Sequence, residues 1–520
     1  MEGVGLLHPL TDRPLGDGIT VEGDRVEIEI RAPFTDRPCG RLPRCDARDV
    51  ALALERARPA QRAWAEVPPA DRARVLLRFH DLVLERRDEV LDLIQLETGK
   101  ARRNAFEELA DVALVTRFYA LTSPRLLRPR RRRGALPGLT ATWEHRHPRG
   151  VVGFISPWNY PLSMAITDAI PALAAGNAAL LKPDLQTSFT ALWALHLLRE
   201  AGLPADVFQI VTGDGPETGA AVVDAVDYVA FTGSTATGRE VARRAAGRLI
   251  GCSLELGGKN PMLVCADADL ERAARGAIRG SFANAGQLCL ATERLFVHAA
   301  VYEPFRDRLV ERTASLTLGA GFDFEADVGS LISGRQLEKV ERHVREAVET
   351  GATILAGGRA RPDIGPFFYE PTVLEGVRPE AEIFSEETFG PVVSLYPVSS
   401  DEEAVERANE GCYGLNASVW TRDPDRGRRL AERIRAGTVN VNEAYSAAYG
   451  SVAAPMGGMR DSGLGRRHGI EGLLKYTEPQ TVAVQRGVDL DLTGAGIARE
   501  RYLGVVARAL KMLRRVPGLR

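Results

Sequence analysis

Cysteine is sparse: the chain of 520 residues has six, at positions 39, 45, 252, 265, 289 and 412. So few and so scattered, they exclude a disulfide-stapled secreted scaffold and point to a reducing compartment. No pair has the close spacing of a zinc knuckle, so no metal site is expected. An excess of one charge sign is missing as well. Sixty-seven basic against sixty-nine acidic residues leave a net charge of −2, far from the basic footprint of a nucleic-acid binder. The opening MEGVGLLHPL has no basic segment leading into an apolar run and cleavage site, and a cytoplasmic protein is expected. The most apolar stretch, 164–181, is interrupted by Asp168, Pro171, Gly176 and Asn177; it reads as a buried helix, turn and strand instead of a membrane span. There is no internal repeat.

What is present is globular: 45% apolar and 26% charged residues, in a length that calls for more than one packed core. Apolar residues recur at helical spacing through Val50, Leu54 and Ala57, and again through Val75, Leu76, Phe79, Leu82 and Val83 up to a stop at Gly99. Arg125, Arg128 and Arg130 to Arg133, closed by Gly134 and Pro137, read as a solvated loop between units. Next come an alternating segment, Thr140 to His147, and short β-rich runs at Val151 to Ile155, Ala178 to Leu181, Val207 to Val211, Tyr228 to Phe231 and Ser253 to Leu256. Their spacing predicts an α/β fold with a parallel sheet covered by helices, the architecture that binds dinucleotides. One of those helices, Ser188 to Glu200, has a serine in cap position and stops at Gly202. A second α/β unit is expected from Arg294 to about Gly437, the boundary falling just after Glu255 to Pro261. Near the end, Val505, Val506, Ala509, Leu510 and Leu513 form one face of a helix with Arg508, Lys511, Arg514 and Arg515 around the other. Packing on protein is the expected use of that helix, with membrane contact the less favoured one.

Three places carry candidate chemistry. Cys289, in Phe282-Ala-Asn-Ala-Gly-Gln-Leu-Cys, has small neighbours that let a substrate approach a nucleophile. Glu255, in Leu-Glu-Leu-Gly-Gly-Lys-Asn-Pro, sits at a strand end where a carboxylate can activate water. Asn159 lies in the proline-bounded loop Pro157-Trp-Asn-Tyr-Pro161 and offers an amide to an oxyanion. Phe231-Thr-Gly-Ser-Thr-Ala-Thr-Gly238 ends a strand and opens a helix whose amides can hold phosphate.

These motifs, in this order, resemble the aldehyde dehydrogenase superfamily over residues 30 to 486, together with Lys182-Pro183, Gly286-Gln287 and Glu386-Glu-Thr-Phe-Gly-Pro391. Ser281 to Leu290, Ala454-Pro-Met-Gly-Gly458 and Gly465-Arg-Arg-His468 resemble its actinobacterial succinate-semialdehyde dehydrogenase (NADP⁺) branch. The resemblance implies a Rossmann-type NAD(P)-binding domain (1–136 and 149–258), a catalytic domain (259–458) and a small β oligomerisation element (137–148 and 459–486); beyond it, residues 487–520 read as a basic amphipathic tail. It implies a homodimer or homotetramer that exchanges strands. It implies Cys289 as nucleophile, Asn159 as oxyanion donor and Glu255 as hydrolytic base, where coenzyme A-acylating members lack that base. It places Ser156, Trp158, Lys182, Gly233, Ser234, Glu387 and Phe389 on the cofactor, and Tyr160, Met164, Thr167, Ala283, Leu288, Leu290 and Tyr445 around a small aldehyde.

Two departures bear on specificity. Leu185 stands three residues after Lys182, where NAD⁺-specific relatives often carry a ribose-binding glutamate, so NADP⁺ is expected with NAD⁺ possible, although Asp184 would restore some repulsion if turned inward. Ala283 and Thr167 occupy positions where succinate-semialdehyde dehydrogenases commonly place carboxylate-binding arginines. Neutral aliphatic or aromatic aldehydes are therefore the alternative to succinate semialdehyde. A binding protein on a retired fold would be expected to have lost Cys289, Glu255 or Asn159, and all three are present.

Overall fold

The computed structural model describes residues 18–134, 140–486 and 499–514. The chain forms two compact units: one runs up to Leu126 and continues over Pro148–Thr477, the other joins Leu127–His147 to the chain from Glu478 onward.

Within the first unit, the expected runs become the parallel strands Val151–Ile155, Ala178–Lys182, Phe208–Ile210, Tyr228–Thr232 and Gly251–Glu255. Strands such as VVGFI and AALLK are buried on both faces, which is why they read as apolar runs without alternation. In space the order is Gly251–Glu255, Tyr228–Thr232, Val151–Ile155, Ala178–Lys182, Phe208–Ile210, with Gly463–Leu464 added antiparallel beside Gly251–Glu255. Residues 459–486 therefore do not act as one element: Gly463–Leu464 joins this sheet, because its two residues complete the edge hydrogen bonds next to Glu255.

The second sheet has seven strands, ordered Thr353–Ala356, Thr372–Glu375, Val392–Val398, Thr292–His298, Asn260–Val264, Asn416–Trp420 and Thr438–Val441. All pair in parallel except the edge strand Thr353–Ala356. Sheet membership changes between Glu255 and Asn260. The first third is helical over Ala47–Glu66, Pro69–Glu85, Arg87–Thr98 and Arg102–Leu126, with Gly99 left-handed after the third helix. The helix Ser188–Glu200 has the expected ends, but Ser188 is its first turn and not its cap: the buried Glu97 carboxylate accepts from the Phe189 and Thr190 amides at 2.8 Å each.

In the second unit, Arg130–Arg133 is a strand and not a loop. It pairs antiparallel with Thr140–Pro148, Arg130 opposite Glu144, and Arg132 bonds that carboxylate at 2.6 Å. Four exposed arginines have neither alternation nor an apolar face, so only the partner strand reveals the element. Thr477–Gln485 completes this three-stranded sheet. The helix Arg499–Leu513 is present, and Val505 and Leu510 are exposed at 63% and 62%, so its apolar side is uncovered there. Residues 137–139, 487–498 and 515–520 of the expected element and tail lie outside the described residues. Among the described residues no helix is long and apolar enough to cross a membrane.

Candidate active site

The order of the first sheet reverses between Val151–Ile155 and Tyr228–Thr232, and their carboxyl ends flank the crevice where doubly wound sheets bind ligands. Ser156 to Trp158 leave one strand end, and Gly233 and Ser234 leave the other. Ser234 caps the helix Thr235–Gly247 by accepting from Thr237 N–H at 3.3 Å. A cavity of about 450 Å³ opens here, lined by Trp158, Gly233, Ser234, Glu387 and Phe389 and also by Cys289, Asn159, Glu255, Tyr160, Met164, Leu288, Leu290 and Tyr445. The walls around Cys289 form one apolar cluster that includes Met456.

Backbone strain presents Cys289. Asn284 and Ala285 are left-handed (φ 52° and 53°), and Gly286 follows at φ 69°. A Cβ on Gly286 would fall 2.0 Å from Gly390 O, so only glycine fits. Side-chain amides lock the turn: Asn284 Nδ2 donates to Asn159 O and Gln287 O at 3.0 Å each, and Gln287 Oε1 accepts from Ile332 N–H at 3.0 Å. Asn159 Nδ2 reaches the same Gln287 carbonyl at 3.1 Å, which leaves its second N–H for another acceptor. Burial, with Glu387 and Glu255 nearby, pushes the Cys289 thiol up to about 12, so the resting sulfur is protonated.

Glu255 ends the strand Gly251–Glu255, is 7% exposed, and its Oε1 has no hydrogen-bond partner among the described residues. Gly457 makes room for it, since a Cβ there would lie 3.0 Å from that oxygen. Burial raises its carboxyl to about 7, while Arg467 and Lys475 pull it back down. Arg467 is 3% exposed and lines the cavity. It donates through Nη2 to Thr167 Oγ1, lies 3.5 Å from Asp168, and its Nε is without a partner among the described residues.

Opposite the glycine pair Gly257 and Gly258, Glu387 Oε1 accepts from Gly258 N–H at 3.0 Å, and a Cβ on Gly257 would lie 2.5 Å from Glu387 Oε2. Phe389 meets the Trp158 ring edge-on at 5.4 Å. Gln336 and Lys339 hold this wall by donating to Phe389 O (2.8 Å) and Glu387 O (2.7 Å).

Not every expected residue reaches the cavity. Thr167 and Ala283 lie behind its wall, Thr167 turned back to Ser163 O and engaged by Arg467, and Ala283 packed into the apolar cluster. Ser156 and Lys182 sit at adjacent strand ends without lining it; Ser156 N–H donates to Lys182 O. Sequence reasoning missed Arg467, Glu107, Asp111, Arg279 and Tyr449, all of which line the cavity. Glu107 and Asp111 stand one helical turn apart on Arg102–Leu126, a spacing that flags a shared face. The signal for Arg467 was a second arginine beside His468 with no role assigned to it.

The model described as aldehyde dehydrogenase family matches residues 20–482. A Mycolicibacterium smegmatis protein provisionally named succinate-semialdehyde dehydrogenase [NADP(+)] is 52% identical over 94% of both chains. Betaine aldehyde dehydrogenase of Bacillus subtilis is 36% identical over 90% of this chain and 96% of its own. Among solved structures, the NAD⁺ complex of aldehyde dehydrogenase from Bacillus cereus superposes with a TM-score of 0.85 at 37% identity, covering 90% of this chain and 96% of that one.

Proposed function

The chain belongs to the aldehyde dehydrogenase family, an NAD(P)⁺-dependent oxidoreductase acting on small aldehydes, and on that premise we propose that it oxidises succinate semialdehyde to succinate with NADP⁺. The observation that carries the substrate is Arg467. No arginine stands at Thr167 or Ala283, yet a buried guanidinium reaches Thr167 from a segment far along the chain, and Arg467 itself lines the cavity. That cation on the cavity wall attracts an anionic tail and gives a neutral tail no such interaction.

The residues present fit a dinucleotide. The glycine pair at 257 and 258 leaves backbone room beside Glu387, Ser234 opens a helix toward the crevice, and the buried Lys182 ammonium donates only to Pro183 O (3.1 Å) among the described residues, keeping N–H groups for ribose. Asp184 accepts from Gln186 N–H at 3.0 Å through Oδ1, and its charge acts on Lys182, so it restores some of the repulsion of a 2′-phosphate. The support for NADP⁺ is Leu185, which stands where a ribose-binding glutamate would repel that phosphate.

In the proposed mechanism Cys289 loses its proton to solvent and Sγ bonds to the aldehyde carbon. The Asn159 amide and the Cys289 N–H take the resulting oxyanion. Oxidation of that adduct to the thioester is the chemistry a nicotinamide dinucleotide supplies when bound, since no side chain here accepts two electrons. Glu255 then removes a proton from water, whose oxygen attacks the thioester carbon; the C–S bond breaks and acid and thiol are released.

The test compares initial rates of reduced-cofactor formation for succinate semialdehyde, hexanal and benzaldehyde with NADP⁺ and NAD⁺, in wild type and Arg467→Met. The expected result is a preference for the semialdehyde that Arg467→Met lowers by roughly 10–100-fold through KM. A second reading, neutral aldehydes, is favoured by the apolar walls and by Glu107 and Asp111 on the same cavity, which repel a carboxylate. Equal or better turnover of hexanal selects it.

The six cysteines are unpaired, which supports the cytoplasm as the compartment. A homodimer or homotetramer is the proposed assembly, supported by the exposed strand Thr477–Gln485 at the rim of the small sheet. Light scattering on the eluting protein distinguishes these from a monomer.

A further inference from the structure

The segment from Asn159 into the helix Pro161–Ile166 supplies both the proposed oxyanion amide and, through Tyr160 and Met164, part of the cavity wall, and an ion pair buried outside the cavity holds it. After the helix Arg87–Thr98, Gly99 turns left-handed at φ 71°; a Cβ there would lie 2.0 Å from Ser330 Oγ. Lys100 follows, 0% exposed. Its Nζ donates to Glu108 Oε1 at 2.5 Å and to Asn159 O at 2.6 Å, and lies 4.0 Å from the centre of the Tyr160 ring. Glu108, equally buried, uses its second oxygen on the next turn: Oε2 accepts from Leu162 N–H at 2.8 Å and Ser163 N–H at 3.2 Å. The Asn159 carbonyl also accepts from Asn284, in the loop that leads to Cys289, at 3.0 Å.

A buried ion pair adds little net stability over an apolar pair of similar size, so these contacts are best understood by what they fix. We propose that Lys100 and Glu108 are positioning residues for the oxyanion-binding amide. Together they pin the backbone on both sides of Tyr160 and so set the direction of the Asn159 side chain toward Cys289. This rests on the reading of Asn159 given above. The pair touches neither cavity nor substrate, and it acts only through the geometry of that one donor, where a shift near 1 Å costs up to about 100-fold in rate.

A double-mutant cycle tests it. The rate of the first turnover is measured for wild type, Lys100→Met, Asn159→Ala and the double variant, with cofactor affinity from a fluorescence titration and folding from thermal melts. Lys100→Met is expected to slow the first turnover by about 10–100-fold and leave cofactor affinity within about twofold. In the Asn159→Ala background the same change is expected to cost less than about threefold, because the group it positions is gone. Glu108→Gln keeps an acceptor for Leu162 and Ser163 and serves if Lys100→Met does not fold; it is expected to give a smaller loss with the same coupling. Equal losses in both backgrounds overturn the clamp and leave the role of Asn159 intact. An Asn159→Ala variant with an unchanged first turnover overturns the reading of Asn159 itself.

Discussion

Burial lifts the Glu255 carboxyl to about 7, and Arg467 is the foremost charge holding it from going higher. On the proposed mechanism hydrolysis needs the ionised form, so steady-state turnover is expected to rise through about pH 7 and then level. Arg467→Met removes a cation that favours the carboxylate, so that limb should move to higher pH in a profile taken with a neutral aldehyde. Glu255→Gln should leave a burst of reduced cofactor followed by turnover slowed about 10²–10⁴-fold, read by rapid mixing. Cys289 gives a third check. With its thiol near 12, alkylation of the free protein, followed by mass spectrometry of that peptide, should keep climbing roughly tenfold per pH unit through mildly alkaline pH. A plateau near neutrality would contradict the buried-thiol picture. That Cys289, Glu255 and Asn159 stand on one cavity follows motifs of small residues and prolines that are each local in sequence. Arg467 was not legible locally: its meaning lies in Thr167 and Asp168, some 300 residues earlier, and only folding sets them side by side.

Buried parallel strands announce themselves as apolar runs, and all five in the first sheet begin and end within two residues of where composition places them. The strand Arg130–Arg133 escaped because its stability comes from pairing with Thr140–Pro148 and from the Glu144 carboxylate, neither of which is written in four arginines. The cap of Ser188–Glu200 escaped for the same reason, since Glu97 reaches it from another helix. The left-handed run Asn284 to Gly286 also has no local signature beyond its glycine. Gly286→Ala should distort it, because the added carbon meets Gly390 O at 2.0 Å. A loss of about 1–3 kcal/mol in a urea melt is expected, with a fall in activity of at least about tenfold.

Every residue lining the cavity falls within the unit built from the chain up to Leu126 and Pro148–Thr477. Removing residues 487–520 should therefore leave kcat/KM within about twofold of wild type, and a larger loss would give the tail a part in catalysis. At this scale the sequence already divided the chain between two sheets near Glu255 to Pro261, because the β rhythm restarts there. It did not foresee that Gly463–Leu464 returns to the first sheet beside Glu255 while Gly457 and Arg467 close around that carboxylate. The return strand has a consequence for biosynthesis. A chain still being translated has made the five parallel strands of the first sheet some two hundred residues before Gly463–Leu464 arrives beside Glu255. Whatever a nascent chain binds, Glu255 lacks the strand, the glycine and the arginine that close around it until residues 457–467 are made.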